Sequence, residues 1–300
     1  MSRARLVLSL AAAVVAISFA AIFIRLAQAE GMPSLTIAVW RLTLAAAVML
    51  PYAWHTRREE VRGLSRRELG LLAGAGAFLG LHFVTWITSL SHTTVASSVV
   101  LVTTGPVFVA LGSWLLLGER PGLRTALGIG LALLGSVAIS WSDLGRGGSQ
   151  WLGNLLAVAG AVMMAGYLMI GRRARASRSL VAYSGLVYAL AALTLLLLAG
   201  LSGQPLLGFS PRAYLWVLLM ALVSQLVGHS VLNWALRHIS ATYVAMVTMA
   251  EPIGSGILAL LLFREAVPVS TVVGGALILA GIYVASRREL RRGDPSLRSG

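Results

Sequence analysis

Ten stretches of about twenty mostly apolar residues, joined by short connections, occupy nearly all of this 300-residue chain. A helix of that length crosses a hydrocarbon core about 30 Å thick while satisfying its own backbone polar groups, as lipid demands. The stretches are Leu6–Ala27, Ser34–Trp54, Leu69–Leu90, Val95–Leu117, Thr125–Trp141, Leu152–Ile170, Leu180–Leu198, Tyr214–Leu236, Ala241–Phe263 and Val267–Ser286. Hydrophobic residues make up 58% of the chain and charged ones 11%, a balance that needs lipid as part of its solvent. The expected fold is therefore an all-α polytopic membrane protein with no extramembrane domain large enough for soluble chemistry. Without a cysteine there can be no disulfide, thiolate metal site or cysteine nucleophile, and no cofactor or metal is expected.

All 24 basic residues are arginines, and the net charge of +14 is spread in short runs between the apolar stretches rather than over one soluble face. That distribution excludes nucleic acid as a partner and fits anchoring at a bilayer. Ten spans place both termini on one side. That side holds 19 arginines, among them Arg57, Arg58, Arg62, Arg66, Arg67 and Arg172, Arg173, Arg175, Arg178. The opposite side holds three, Arg146, Arg212 and Arg264, with Arg25 and Arg41 inside spans. The asymmetry predicts an inner-membrane protein with both termini cytoplasmic. Arg3, Arg5 and the Ala27-Gln28-Ala29 triplet imitate a secretory leader, but the intervening run is too long and Arg25 interrupts it, so a retained first helix is expected.

The sequence repeats itself at a constant offset of 146. His92 falls on His238, Pro106 on Pro252, Glu119 on Glu265, Gly128 on Gly274 and Gly135 on Gly281. Apolar helices match Leu with Leu by chance, but seldom Pro, Glu, His and two Gly in one register. Each half then holds five helices, residues 6–141 and 152–286, followed by an Arg-rich cytoplasmic tail, 287–300. Five being odd, the second half crosses in the opposite sense, giving ten transmembrane helices as a 5+5 inverted-topology repeat. Secondary transporters are commonly built this way and bind substrate near the midplane between halves.

Two motifs narrow this further. Val102-Thr103-Thr104-Gly105-Pro106 ends in Leu117-Gly118-Glu119-Arg120, and Met249-Ala250-Glu251-Pro252 ends in Phe263-Arg264-Glu265. Together with Arg41-Leu42-Thr43-Leu44-Ala45, they make both halves resemble the domain shared by ten-helix exporters of the drug/metabolite transporter superfamily, the EamA group, over residues 8–286. The second copy departs at Phe263-Arg264, where a glycine usually precedes the Glu, and at Ala266. The resemblance implies export of small metabolites, amino acids or related amphipathic compounds, and a central cavity lined by the first, third and fourth helices of each half.

Candidate substrate-binding or coupling residues follow from polarity inside the spans. Glu251 lies near the middle of the ninth stretch, where a carboxylate is costly unless paired or hydrated, so protons are a candidate coupling ion. Thr248 and Ser255 share its helix face. Gln225, His229 and Asn233 recur every four residues in the eighth stretch, and His82, Thr85, Trp86 and Ser89 form one face of the third. Such stripes should face protein or a cavity rather than lipid. Thr103 and Thr104 precede the proline of the fourth stretch, and Tyr167 could add an aromatic lining with Met163, Tyr243 and Met246. Arg41, a lone charge in the second stretch, is expected to snorkel or to pair within the fold. Pro106 and Pro252 should bend their helices at equivalent, movable places. Glu119 and Glu265 are read as partners for free N–H groups opening the next helix, near Pro121 and Pro268. The glycines of the fifth and tenth stretches permit close helix contact, within a monomer or between the chains of a homodimer.

An intramembrane enzyme is a poor alternative, since no His-Glu-x-x-His and no cysteine is present. A lipid-linked sugar flippase of a related family is the nearer one.

Overall fold

The computed structural model describes residues 3–93, 95–117, 121–140, 150–263 and 269–292, and these are helical with short connections. Glu119, Glu265 and Pro268 lie outside the described residues, as does the end of the Arg-rich tail. In chain order the helices are α1 (Arg3–Ala29), α2 (Ser34–Thr56), the short α3 (Arg58–Arg62), α4 (Arg66–Ser89), α5 (Val95–Val102), α6 (Gly105–Leu117) and α7 (Leu123–Ser140). The second half supplies α8 (Gln150–Ala174), α9 (Leu180–Ser202), α10 (Pro211–Leu219), a π-helical segment (Met220–His229) leading into α11 (Ser230–Ala235), α12 (Ala241–Thr248), α13 (Glu251–Phe263) and α14 (Val269–Arg292).

Eight helices or continuous helix runs among the described residues are long and apolar enough to cross a membrane, and two shorter apolar helices, Leu123–Ala138 and Val272–Ala285, occupy the fifth and tenth places. Large apolar side chains such as Leu8, Leu115, Leu201 and Val269 lie exposed on the outside, where lipid is their solvent.

Helix starts are written locally. Ser65 caps α4 in a reciprocal box, its Oγ accepting from the Glu68 N–H while its own N–H donates to Glu68 Oε2. Ser179, Ser210 and Ser240 cap α9, α10 and α12 by accepting from the N–H three residues on. Gly203 closes α9 at φ 64°, a left-handed conformation that costs glycine little.

The offset of 146 reaches down to element boundaries. It carries α2 onto α9, α5 onto α12 and α6 onto α13, residue for residue at both ends. Packing repeats as well, and most of it joins one half to the other. Here α2 lies along α9, α7 along α14, α4 along α8, and α1 along the α10–π–α11 run.

Where α7 crosses α14, Gly128 meets Gly281 and Gly135 meets Gly274, two contacts that the repeat interchanges. A Cβ on Gly128 would stand 2.6 Å from the Gly281 carbonyl oxygen, and one on Gly281 2.5 Å from that of Gly128. Only glycine admits backbones this close.

Candidate functional site

The fourth helix of each half is interrupted rather than merely bent. In the first half α5 ends at Val102 and α6 begins at Gly105; in the second, α12 ends at Thr248 and α13 begins at Glu251. Short-range bonds bracket the gaps, Thr104 N–H to Leu101 O and Val107 N–H to Thr104 O, then Ala250 N–H to Val247 O and Ile253 N–H to Ala250 O. Pro106 and Pro252 each sit at the second position of the new helix, where their missing N–H breaks no helical bond. The gap thus sets Glu251 at the first residue of α13, where the free N–H groups of the first turn favour a negative charge.

Beside this gap lies a small, partly open space of about 30 Å³, the share of one water in the liquid. Its wall is built by α1 (Ile17, Ala20), α4 (His82, Trp86), the end of α5 (Val102, Thr103), α8 (Met164), the π–α11 run (His229, Leu232) and the α12–α13 junction (Thr248, Glu251). These are the first, third and fourth helices of each half. No metabolite fits a space this size, so it has to widen to admit one.

Glu251 is 7% exposed, and its Oε1 has no hydrogen-bond partner among the described residues. Ser18 of α1 donates to the Glu251 backbone carbonyl at 3.4 Å, and Ser255 donates back to Ser18 O at 3.1 Å, so α1 is tied to the start of α13. His82 places Nδ1 2.9 Å from the Gly160 carbonyl oxygen. A carbonyl only accepts, so this contact selects the tautomer with hydrogen on Nδ1 and leaves Nε2 as an acceptor. Its ring stacks on Trp86 at 6.0 Å, and His229 meets Phe83 edge-on at 5.2 Å.

Of the residues read from sequence, Glu251, His229, His82, Trp86, Thr103 and Thr248 share this wall. The structure places the others elsewhere. Gln225 accepts from Arg41 Nε at 2.8 Å, toward α2. Asn233 accepts from the Tyr167 hydroxyl at 2.5 Å and donates to Tyr188 and Ser184, tying α11 to α8 and α9. Ser89 bonds Ser98 Oγ at 2.5 Å and the Trp86 carbonyl, and Thr104 donates to Leu101 O within its own chain turn.

Gln225 and His229 part because both lie in the π-helical segment, whose turns are wider than the spacing assumed for an α-helix, while Asn233 follows in α11. Met164 lines the wall, not Met163. The apolar liners Ile17, Ala20, Val102 and Leu232 carry no sequence signal separating them from ordinary core.

Arg41 does not snorkel. It is wholly buried, its guanidinium 3.8 Å from the centre of the Phe83 ring, with Nη1 and Nη2 unpartnered among the described residues. The ring face and Gln225 hold it directly, with the charge of Glu251 near enough to act on it without a direct ion pair among the described residues.

A helical membrane protein of two five-helix repeats, with a small space between them where an acid and two histidines meet mostly apolar walls, has the build of a transporter. The comparisons agree. The EamA-like transporter family matches the chain twice, over residues 5–141 and 151–287, and the chain belongs to that family. It is therefore a membrane transporter and not an enzyme.

An uncharacterized transporter of Archaeoglobus fulgidus is 26% identical over 293 residues, covering 96% of this chain and 99% of its own. A riboflavin transporter of Brucella anthropi is 30% identical over 139 residues, 46% of each chain. One solved crystal structure has a TM-score of 0.75 at 20% identity, covering 98% of this chain and all of its own, a likeness of fold.

Proposed function

We propose that the protein exports small metabolites, amino acids or related amphipathic compounds, across the inner membrane by alternating access, with protons as the coupling ion. One observation carries this reading. Glu251, an acid with an oxygen unpartnered among the described residues, stands in the wall of the central space at the break of the ninth span. Desolvation there opposes its charge, and opening the cavity to water on either side relieves that opposition. A carboxyl group so placed can take a proton on one face and release it on the other. Its counterpart in the first half is Gly105, so the symmetry of the repeat is broken at this acid.

The arginine asymmetry supports both termini being cytoplasmic, and the partial likeness to a riboflavin transporter puts riboflavin beside amino acids among the compounds to be tried.

The test uses reconstituted protein at equal incorporation, with radiolabelled amino acids and riboflavin as probes. Glu251→Gln should keep counterflow, because Gln has the shape of the neutral acid, and should lose stimulation by a pH gradient. Full gradient-driven transport by the Gln variant would remove Glu251 from coupling.

A further inference from the structure

A second cavity is larger than the central one. A space of about 270 Å³ lies at the Arg-rich face, between the start of α4 in the first half and the end of α8 in the second. That is about nine times the volume of one water in the liquid, the scale of a polar headgroup. Three arginines line it, Arg67, Arg173 and Arg178, against one acid, Glu68.

Glu68 is already committed. Its Oε1 accepts from Arg178 Nε at 3.2 Å and from Nη2, and its Oε2 serves the Ser65 cap. Arg178 further donates through Nη1 to the Glu60 carbonyl at 3.0 Å, so its guanidinium is largely satisfied. Arg67 and Arg173 therefore present positive charge with no carboxylate partner among the described residues. One helical turn deeper than Arg67, on the same face, Leu71 is part of the lining and 36% exposed, next to the buried Leu72.

Positive charge at the helix ends, followed one turn inward by apolar surface, is the order of groups along a phospholipid. We propose that this cavity binds one anionic phospholipid, its phosphodiester between Arg67 and Arg173 and an acyl chain descending over Leu71. A basic pocket between spanning helices at the positively charged face is a place where such headgroups gain both charge pairing and desolvated packing. Because Arg67 belongs to the first half and Arg173 to the second, the lipid bridges the halves beside the Arg178–Glu68 ion pair. The inference is independent of what the transporter carries.

The experiment is thermal unfolding of the full chain in a neutral maltoside detergent, with phosphatidylglycerol or phosphatidylcholine added at equal concentration. Phosphatidylglycerol should raise the midpoint above the phosphatidylcholine value by about 5 °C, the shift for a ligand near a hundredfold its dissociation constant. Arg67→Gln with Arg173→Gln should abolish that increment. Arg58→Gln with Arg62→Gln, at the same face but against Trp54 and outside the cavity, should keep it. Equal loss in both double variants, or no increment in the unaltered protein, overturns the site. The same increment from glycerol phosphate, a headgroup without chains, overturns the lipid. Native mass spectrometry of the unaltered protein needs no variant: one phosphatidylglycerol should be retained in preference to phosphatidylcholine, and equal retention of the two refutes the proposal.

Discussion

Asn233 offers a sharp separation between holding the fold and handling substrate. It is fully buried and bonds Tyr167, Tyr188 and Ser184, so it links α11 to α8 and α9 without reaching the central space. Asn233→Leu removes the acceptor of the Tyr167 hydroxyl, itself 1% exposed, and leaves a buried donor unsatisfied. Such orphaned groups cost about 1–3 kcal/mol in protein interiors. Interhelical hydrogen bonds in membrane proteins are worth less, averaging about 0.6 and reaching about 1.7 kcal/mol. Complete burial puts this loss toward the upper membrane value, about 2 kcal/mol for the single variant. Tyr167→Phe should cost about 1 kcal/mol, because Asn233 keeps its two other bonds. With donor and acceptor both gone, the double variant should be about 1 kcal/mol more stable than the sum of the singles requires. At about 2 °C per kcal/mol for a chain of this size, melting of purified protein resolves the difference. Counterflow per mole of folded protein should stay at the unaltered value in all three. Additive midpoints would refute the coupling, and altered substrate dependence in folded Asn233→Leu protein would return this residue to the cavity.

Further outcomes follow from other sites. His229→Ala should do the reverse of Asn233→Leu, changing the substrate dependence of counterflow while the melting midpoint moves by at most about 3 °C, the worth of its edge-on contact with Phe83. Gly128→Leu should reduce the yield of folded protein, overpacking costing about 1–3 kcal/mol or more where Gly281 O stands, whereas Gly130→Ala, with nothing within 4 Å of its Cβ position, should melt like the unaltered chain. Cysteines introduced at Leu64 and Ser177 should be labelled only from the cytoplasm and at Ser202 only from outside. Labelling of the first two by an impermeant reagent on intact cells would reverse the orientation.

Much of the architecture was legible because the repeat is written in residues that cannot be exchanged cheaply. Pro106 with Pro252 and the paired glycines fixed one register, and that register reproduces the ends of α5, α6, α12 and α13. The central wall was only partly legible. A four-residue spacing reads as one face only if the helix is α, and nothing in the apolar run Met220–His229 announces its π form. Close packing goes with the wide turns: Gly228 lies against Ile17 of α1, and Ser224 donates to Ala16 O at 2.9 Å. These are contacts across more than two hundred residues. For Arg41 the sequence left snorkelling and pairing within the fold both open, and the structure takes the second, because the acceptor that decides between them, Gln225, lies far along the chain.

The distance along the chain between Arg41 and that acceptor has a consequence for biogenesis. Gln225 follows Arg41 by 184 residues, which at about 5–20 residues per second is some tens of seconds of translation. During that time α2 sits in the bilayer with neither Gln225 nor its long contact with α9 available. An arginine at the centre of a lone inserted helix costs about 2.5–3.5 kcal/mol, and Arg41, off-centre in α2, costs some part of that. The nascent first half therefore has to shelter this side chain, at the headgroup level or against the insertion machinery, until the eighth span emerges. Completion of the second half is what drives Arg41 home, so the inverted repeat matures as a single late event rather than as two independently folded pieces.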